Sequence, residues 1–221
     1  MPEPAAPARR PLTSPRAAAL AGVLFAVLFT TSLILIRSTI PEGVPTGVGW
    51  LQGAGGARLR VGLSLVPFAG IAFLWFLGVV RDRFKETEDQ LFSSVFMGSG
   101  LLFLAMVFVS AALAGGILVT VPLIAEGNRA EVATFGRAVM LQVSNVYALR
   151  MAGVLLVSLG TMWLRTGVMP RWVAFVTYAV ALVLLFVTTV SLWATLIFPA
   201  WVLGISILIL VTNYRRGATS S

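Results

Sequence analysis

An all-α bundle of six membrane-spanning helices with both termini in the cytoplasm is the fold class this sequence predicts, and three observations predict it. The chain is 58% hydrophobic and 11% charged over 221 residues, with a mean hydropathy of +0.96, far from the composition of soluble domains. Its apolar runs reach the roughly 20 residues that a helix rising about 1.5 Å per residue needs to cross a ~30 Å hydrocarbon core. None alternates with the period of two that a barrel strand requires. The basic residues also gather on one side of the runs. Arg9, Arg10, Arg16, Arg81, Arg83, Lys85, Arg165, Arg171, Arg215 and Arg216 stand against Arg37, Arg58, Arg60, Arg129 and Arg137, and an excess of Lys and Arg marks the cytoplasmic side.

Residues 1–16 carry Pro2, Pro4, Pro7, Pro11 and Pro15 with Arg9 and Arg10. Too little apolar surface is present there to offset ordering, which predicts a disordered cytoplasmic tail. The first span, 17–36, is longer than a signal-peptide core and is followed by no A-x-A site, so it reads as a retained helix. The segment 37–60 reads as a loop, with Pro41, Pro45, several glycines and Trp50 at the interface. No G-K-[ST] follows its glycines and no strand precedes them, so a phosphate cradle is not expected.

The second span, 61–80, holds Gly62, Gly70 and Gly78, the last two on one helix face, beside Pro67. Small residues on a face favour close helix packing over a hinge at the proline. In RDRFKETEDQ at 81–90, Asp82 with Lys85 and Lys85 with Asp89 have helical spacing, the pattern of a solvated turn. A docking surface for a soluble partner is the sharper alternative there. The third span, 91–114, is expected to be interrupted at Gly115 and Gly116. Beyond it ILVTVPLIA, containing Pro122, is too short to cross. With the turn at Glu126, Gly127, Asn128 and Arg129 and with Val132, Phe135, Val139 and Val143 at helical spacing, 115–146 reads as a hairpin extension on one side.

The fourth span covers 138–164. Pro170 in the turn TGVMPR stops one helix before Arg171 and Trp172 begin the next. The fifth span is 172–192 and the sixth 196–214, with Pro199 in its first turn. A short cytoplasmic tail, 215–221, follows. No internal repeat is visible, and the interrupted third span has no counterpart near the sixth.

Residue types exclude most catalytic chemistry. The chain has no Cys and no His, so disulfides, thiolate nucleophiles, His-ligated haem or zinc and Ser-His pairs are ruled out. Glu3, Glu42, Asp82, Glu86, Glu88, Asp89, Glu126 and Glu131 all fall outside the spans, which argues against a buried proton relay, a metal site or an acid-base pair. No enzyme, metal or cofactor is expected. A net charge of +8 and a pI near 11.4 would suggest nucleic acid in a soluble protein. Here helix-end topology accounts for them, and the partner is the lipid bilayer. Fifteen arginines to one lysine, with abundant Ala, Val and Gly, suggest a GC-rich bacterial genome and hence a bacterial plasma membrane.

Arg150 is the one charge inside these spans, and a guanidinium at membrane depth costs on the order of 3 kcal/mol, which makes it a functional candidate. It stands 15 residues from Arg165, roughly 22 Å along a helix, and so about 8 Å from the far edge of the core. Two readings stay open. The side chain snorkels to headgroups or to Glu126 and Glu131 as an anchor. Alternatively Arg150 faces a cavity lined by Asn145, Gln142 and Tyr147 and binds an anionic headgroup or solute. The polar neighbours favour an inward orientation.

The stretch RMAGVLLVSLGTMWLRTGVMPRW, from Arg150 to Trp172, with FPAWVLG from Phe198 to Gly204, resembles a family of uncharacterised bacterial six-span integral membrane proteins. The resemblance covers mainly the C-terminal third and implies architecture only. Three function classes follow. A non-catalytic accessory or scaffold bundle, joined to a membrane-protein partner or a second copy through small faces such as Ala148 with Ala152 and Ala200 with Gly204, comes first. A carrier or channel for an anionic or amphipathic solute or lipid using Arg150 comes second, and an intramembrane enzyme third.

Overall fold

A computed structural model describes residues 15–41, 47–82, 90–186 and 192–218. Its helices are α1 (Pro15–Arg37), α2 (Gly53–Asp82), α3 (Gln90–Thr120), α4 (Glu126–Gln142), α5 (Leu149–Thr166), α6 (Arg171–Phe186) and α7 (Ile197–Ala218), with a π-helical segment, Val143–Ala148, joining α4 to α5. Counting α4, the π segment and α5 as one rod, six helices form an all-α bundle among the described residues. Ala17–Arg37, Gly53–Asp82, Leu91–Leu123, Glu126–Thr166 and Ala194–Thr212 are long and apolar enough to cross a membrane. The protein is therefore a multi-pass membrane protein. α6 has 16 residues, about 24 Å of rise; of its expected continuation to 192, positions 187–191 lie outside the described residues and Leu192 opens a 3-10 turn, Leu192–Leu196. The tail at 1–14 and positions 83–89 of the charged turn also lie outside the described residues.

α1 packs on α2 and α7, because its sequence supplies small residues where backbones meet. Ala18, Ala19, Ala21 and Ala26 are buried. A side chain at Gly22 would collide with Ser206 of α7 and with the Phe76 ring of α2. On α2, a Cβ at Gly62 would stand 2.9 Å from Ile36 Cγ1 and 3.2 Å from the Ser32 carbonyl of α1. The same contact carries a hydrogen bond, Ser32 Oγ donating to the Gly62 carbonyl at 2.7 Å. Small residues and hydroxyls at an interface are what hold helices together where lipid removes the usual hydrophobic driving force.

Below that contact the core is a ring cluster. Phe25 of α1 and Phe73 of α2 have centroids 4.8 Å apart, Phe73 and Phe103 of α3 5.2 Å apart, and Phe103 and Phe198 of α7 4.7 Å apart. Tilted and edge-on contacts at this range are the favoured aromatic geometries. Four helices are thereby joined at one point.

Three sequence expectations change. The loop after the first span is shorter than 37–60, because α2 begins at Gly53, whose φ of +54° suits glycine, and Gly55 and Gly56 let the first turn close on the Trp50 and Leu51 carbonyls. The third span is not interrupted. α3 runs through Gly115 and Gly116 to Thr120, since packing of α4 along it outweighs the ~1 kcal/mol that each glycine costs a helix. Gly70 and Gly78 do not share a packing role, for Gly70 faces Phe108 of α3 while nothing lies near Gly78. α2 continues through Pro67. The expected hairpin is present as α3 turning back into α4 through Val121–Leu123. α5 stops at Gly167, whose φ of +65° lets its N–H reach the Trp163 carbonyl at 3.0 Å, and α6 starts just after Pro170.

Gly62→Val should force α1 and α2 apart and cost about 1–3 kcal/mol by overpacking, read as a lower thermal midpoint of the detergent-solubilised protein. Gly78→Ala, with open space around it, should leave the midpoint unchanged or raise it slightly.

Candidate functional site

The polar centre of the bundle lies where α1 ends. Arg37 closes the first apolar run and is only 5% exposed, because the rod of α4, the π segment and α5 crosses over it. Its Nη2 donates to Asn145 Oδ1 at 2.5 Å and to Ser144 Oγ at 3.2 Å. Its Nη1 is buried with no hydrogen-bond partner among the described residues, and no acid there pairs with it. Such an arrangement is costly in a low-dielectric interior.

The π segment makes the contact. A π turn closes its hydrogen bonds five residues apart instead of four, inserting one extra residue and shifting which side chains share a face. Here both acceptors for Arg37 come from that turn. Ser144 Oγ also approaches the Leu141 carbonyl and Asn145 Oδ1. Ser110 of α3 donates to the Met140 carbonyl at 3.1 Å, in the turn that leads into the segment.

Beneath the guanidinium is a cavity of about 50 Å³ whose lining includes Arg37, Ser144, Phe29, Leu33, Phe103 and Val107. Ser32 and Ser110 also line it, with their hydroxyl protons already given to backbone carbonyls. Arg137 of α4 lies further out along the rod, is buried, donates through Nη2 to the Pro41 carbonyl, and is close enough for its charge to act on Arg37. At the tip of the hairpin, Arg129 donates to the Ile124 carbonyl at 2.8 Å and meets Glu126 at 3.7 Å, which ties the turn at the surface.

The structure divides the residues that the sequence groups together. Asn145 turns inward, but to Arg37. Gln142, Tyr147 and Arg150 are exposed, so the expected inward cavity around Arg150 does not form. Spacings of three and four residues describe an α-helix and fail across a π turn. The inward position beside Asn145 is also already filled by a guanidinium, which would repel a second. From Asn145 to Arg165 the rod rises about 30 Å, and Arg150 lies only about 7 Å inside the layer through Arg37 and Asn145. A snorkelling stem covers much of that depth. Among the described residues no acid pairs with Arg150, and Glu126 is occupied by Arg129.

Sequence reasoning missed Arg37 and Ser144. A base at the end of an apolar run looks like an ordinary boundary charge. The only available signal was that Ser144 and Asn145 have no acidic partner nearby in the chain. No family model, curated protein or solved structure matches this chain.

Asn145→Leu should leave Arg37 without its main acceptor and lower stability by about 2 kcal/mol. Adding Arg37→Leu should return much of that loss, the signature of a coupled pair in a double-mutant cycle. Arg150→Leu, by contrast, should insert, fold and unfold like the parent to within about 0.5 kcal/mol.

Proposed function

We propose that the protein is a non-catalytic, six-span carrier-type bundle of a bacterial plasma membrane that binds an anionic solute at Arg37. The observation that carries this is a buried guanidinium with one nitrogen unpartnered, set in the wall of an internal cavity. An arginine inside a membrane bundle is expensive unless something negative neutralises it, and such residues mark solute and ion paths. Arg37 takes the role that sequence reasoning assigned to Arg150. The excess of bases on the side of Arg165 and Arg171 argues that this end is cytoplasmic. The Arg37 end, with the α3–α4 hairpin, then faces outward, and an anion would enter from that side.

A scaffold or self-associating bundle is the second reading, and one observation favours it. Ala148 and Ala152 are used up inside the bundle, whereas Ala200 and Gly204 are exposed on α7, with nothing within 4 Å of a Cβ at Gly204. Such a small-residue face suits another helix.

Proteoliposomes holding the purified protein should pass at least one of chloride, acetate, butyrate, phosphate or dodecanoate faster than protein-free vesicles. Losing a charge-assisted hydrogen bond of about 1.5–3 kcal/mol should make Arg37→Gln slower by roughly tenfold to a hundredfold, with Arg150→Gln near the parent. Equal flux for all five anions with and without protein would sink the proposal.

A further inference from the structure

We infer that the cavity beneath Arg37 is a binding site for one compact, weakly hydrated monoanion, a halide or a short-chain carboxylate, held by Arg37 Nη1. The inference rests on the anion-binding reading of Arg37 and narrows it by size, charge and donor count.

Size comes first. About 50 Å³ is several times the ~10–15 Å³ that admits a water and far below the ~300–1,000 Å³ of pockets for larger ligands. A lipid headgroup or a long amphiphile does not fit; a few heavy atoms do. Charge comes second. No acid among the described residues pairs with Arg37, and Arg137 adds a second positive charge nearby, so the site favours an anion. Donor count comes third. Ser32 and Ser110 spend their hydroxyl protons on the Gly62 and Met140 carbonyls, and Arg37 Nη2 is taken by Asn145 and Ser144. Thr195, the other hydroxyl in the lining, has an interaction of its own, which leaves Nη1 as a buried donor with no partner among the described residues, on a side chain that lines the cavity with Phe29, Leu33, Phe103 and Val107. A phosphate or sulfate dianion would bring several strongly hydrated oxygens to a wall that cannot satisfy them. A halide, or a carboxylate whose alkyl part touches the rings, loses far less on leaving water.

The test uses the full-length protein in a neutral detergent, at constant ionic strength made up with gluconate. Its tryptophan fluorescence gives the thermal midpoint as chloride, bromide, acetate, butyrate, inorganic phosphate or phosphatidylglycerol is added. A ligand bound only to the native state raises the midpoint with concentration. Chloride, bromide, acetate or butyrate should produce a saturable rise of a few degrees, and Arg37→Gln should abolish it. A second variant guards against misfolding of the first. Asn145→Asp places a carboxylate against the same guanidinium, so it should fold, raise the midpoint without added anion and erase the response to monoanions. A rise with phosphate or phosphatidylglycerol alone overturns this inference and leaves the broader anion-binding reading standing. No Arg37-dependent rise with any probe overturns both. A monoanion response that survives in both variants places the site elsewhere and overturns the inference.

Discussion

The hydrogen bonds from Arg37 to Asn145 and Ser144 are the constraint on which the rest of this structure depends. They join the end of α1 to the middle of the long rod and so fix which residues of the two helices share a level in the membrane. Measured along the rod from that level, Arg165 lies about 30 Å away, close to the ~30 Å of a hydrocarbon core, and Arg150 only about 7 Å away. The glycine contacts of α1 serve the same end. Gly22 lets α1 approach Ser206 of α7 and Phe76 of α2, and Gly62 lets α2 approach Ser32 and Ile36 of α1.

Burying a cation in this way has a structural logic. In lipid, an arginine that is not paired is driven to the boundary, and Arg37 sits at the boundary by position while being covered by packing. Its partners are neutral. An aspartate in place of Asn145 would have satisfied the guanidinium outright and closed the site to any outside charge. The asparagine supplies orientation without neutralisation, and the remaining nitrogen keeps its electrostatic need.

The all-α bundle of long apolar helices was legible in the sequence because it follows from run length and hydropathy, which lipid enforces on every segment independently, and five of the six helices are long and apolar enough to cross a membrane. The α3–α4 hairpin was legible as well, from the turn at Glu126 to Arg129 and the helical spacing after it. What escaped notice depended on contacts between segments. Gly115 and Gly116 look like a break until α4 packs on α3 beside them, with Gly136 against Ile117. Arg37 looks like a boundary charge until the rod crosses it. The grouping of Asn145 with Arg150 joined residues five apart, about 140° round an α-helix, and the structure leaves Arg150 exposed while Asn145 meets Arg37. Asn145 was singled out beside Arg150, but its hydrogen-bond partner lies 108 positions away in the chain.

The π turn also makes the rod something other than a passive strut. One surplus residue in a helix is a dislocation: it cannot be absorbed in place, and it leaves only by travelling to an end. Each step of such travel turns the stretch it passes through by roughly 100°, the angle of one residue in a helix, while the hydrogen bonds on either side stay closed. Arg37 pins that dislocation at Ser144 and Asn145. Its hydrogen bonds to those two residues hold the surplus residue at one place in a 41-residue rod.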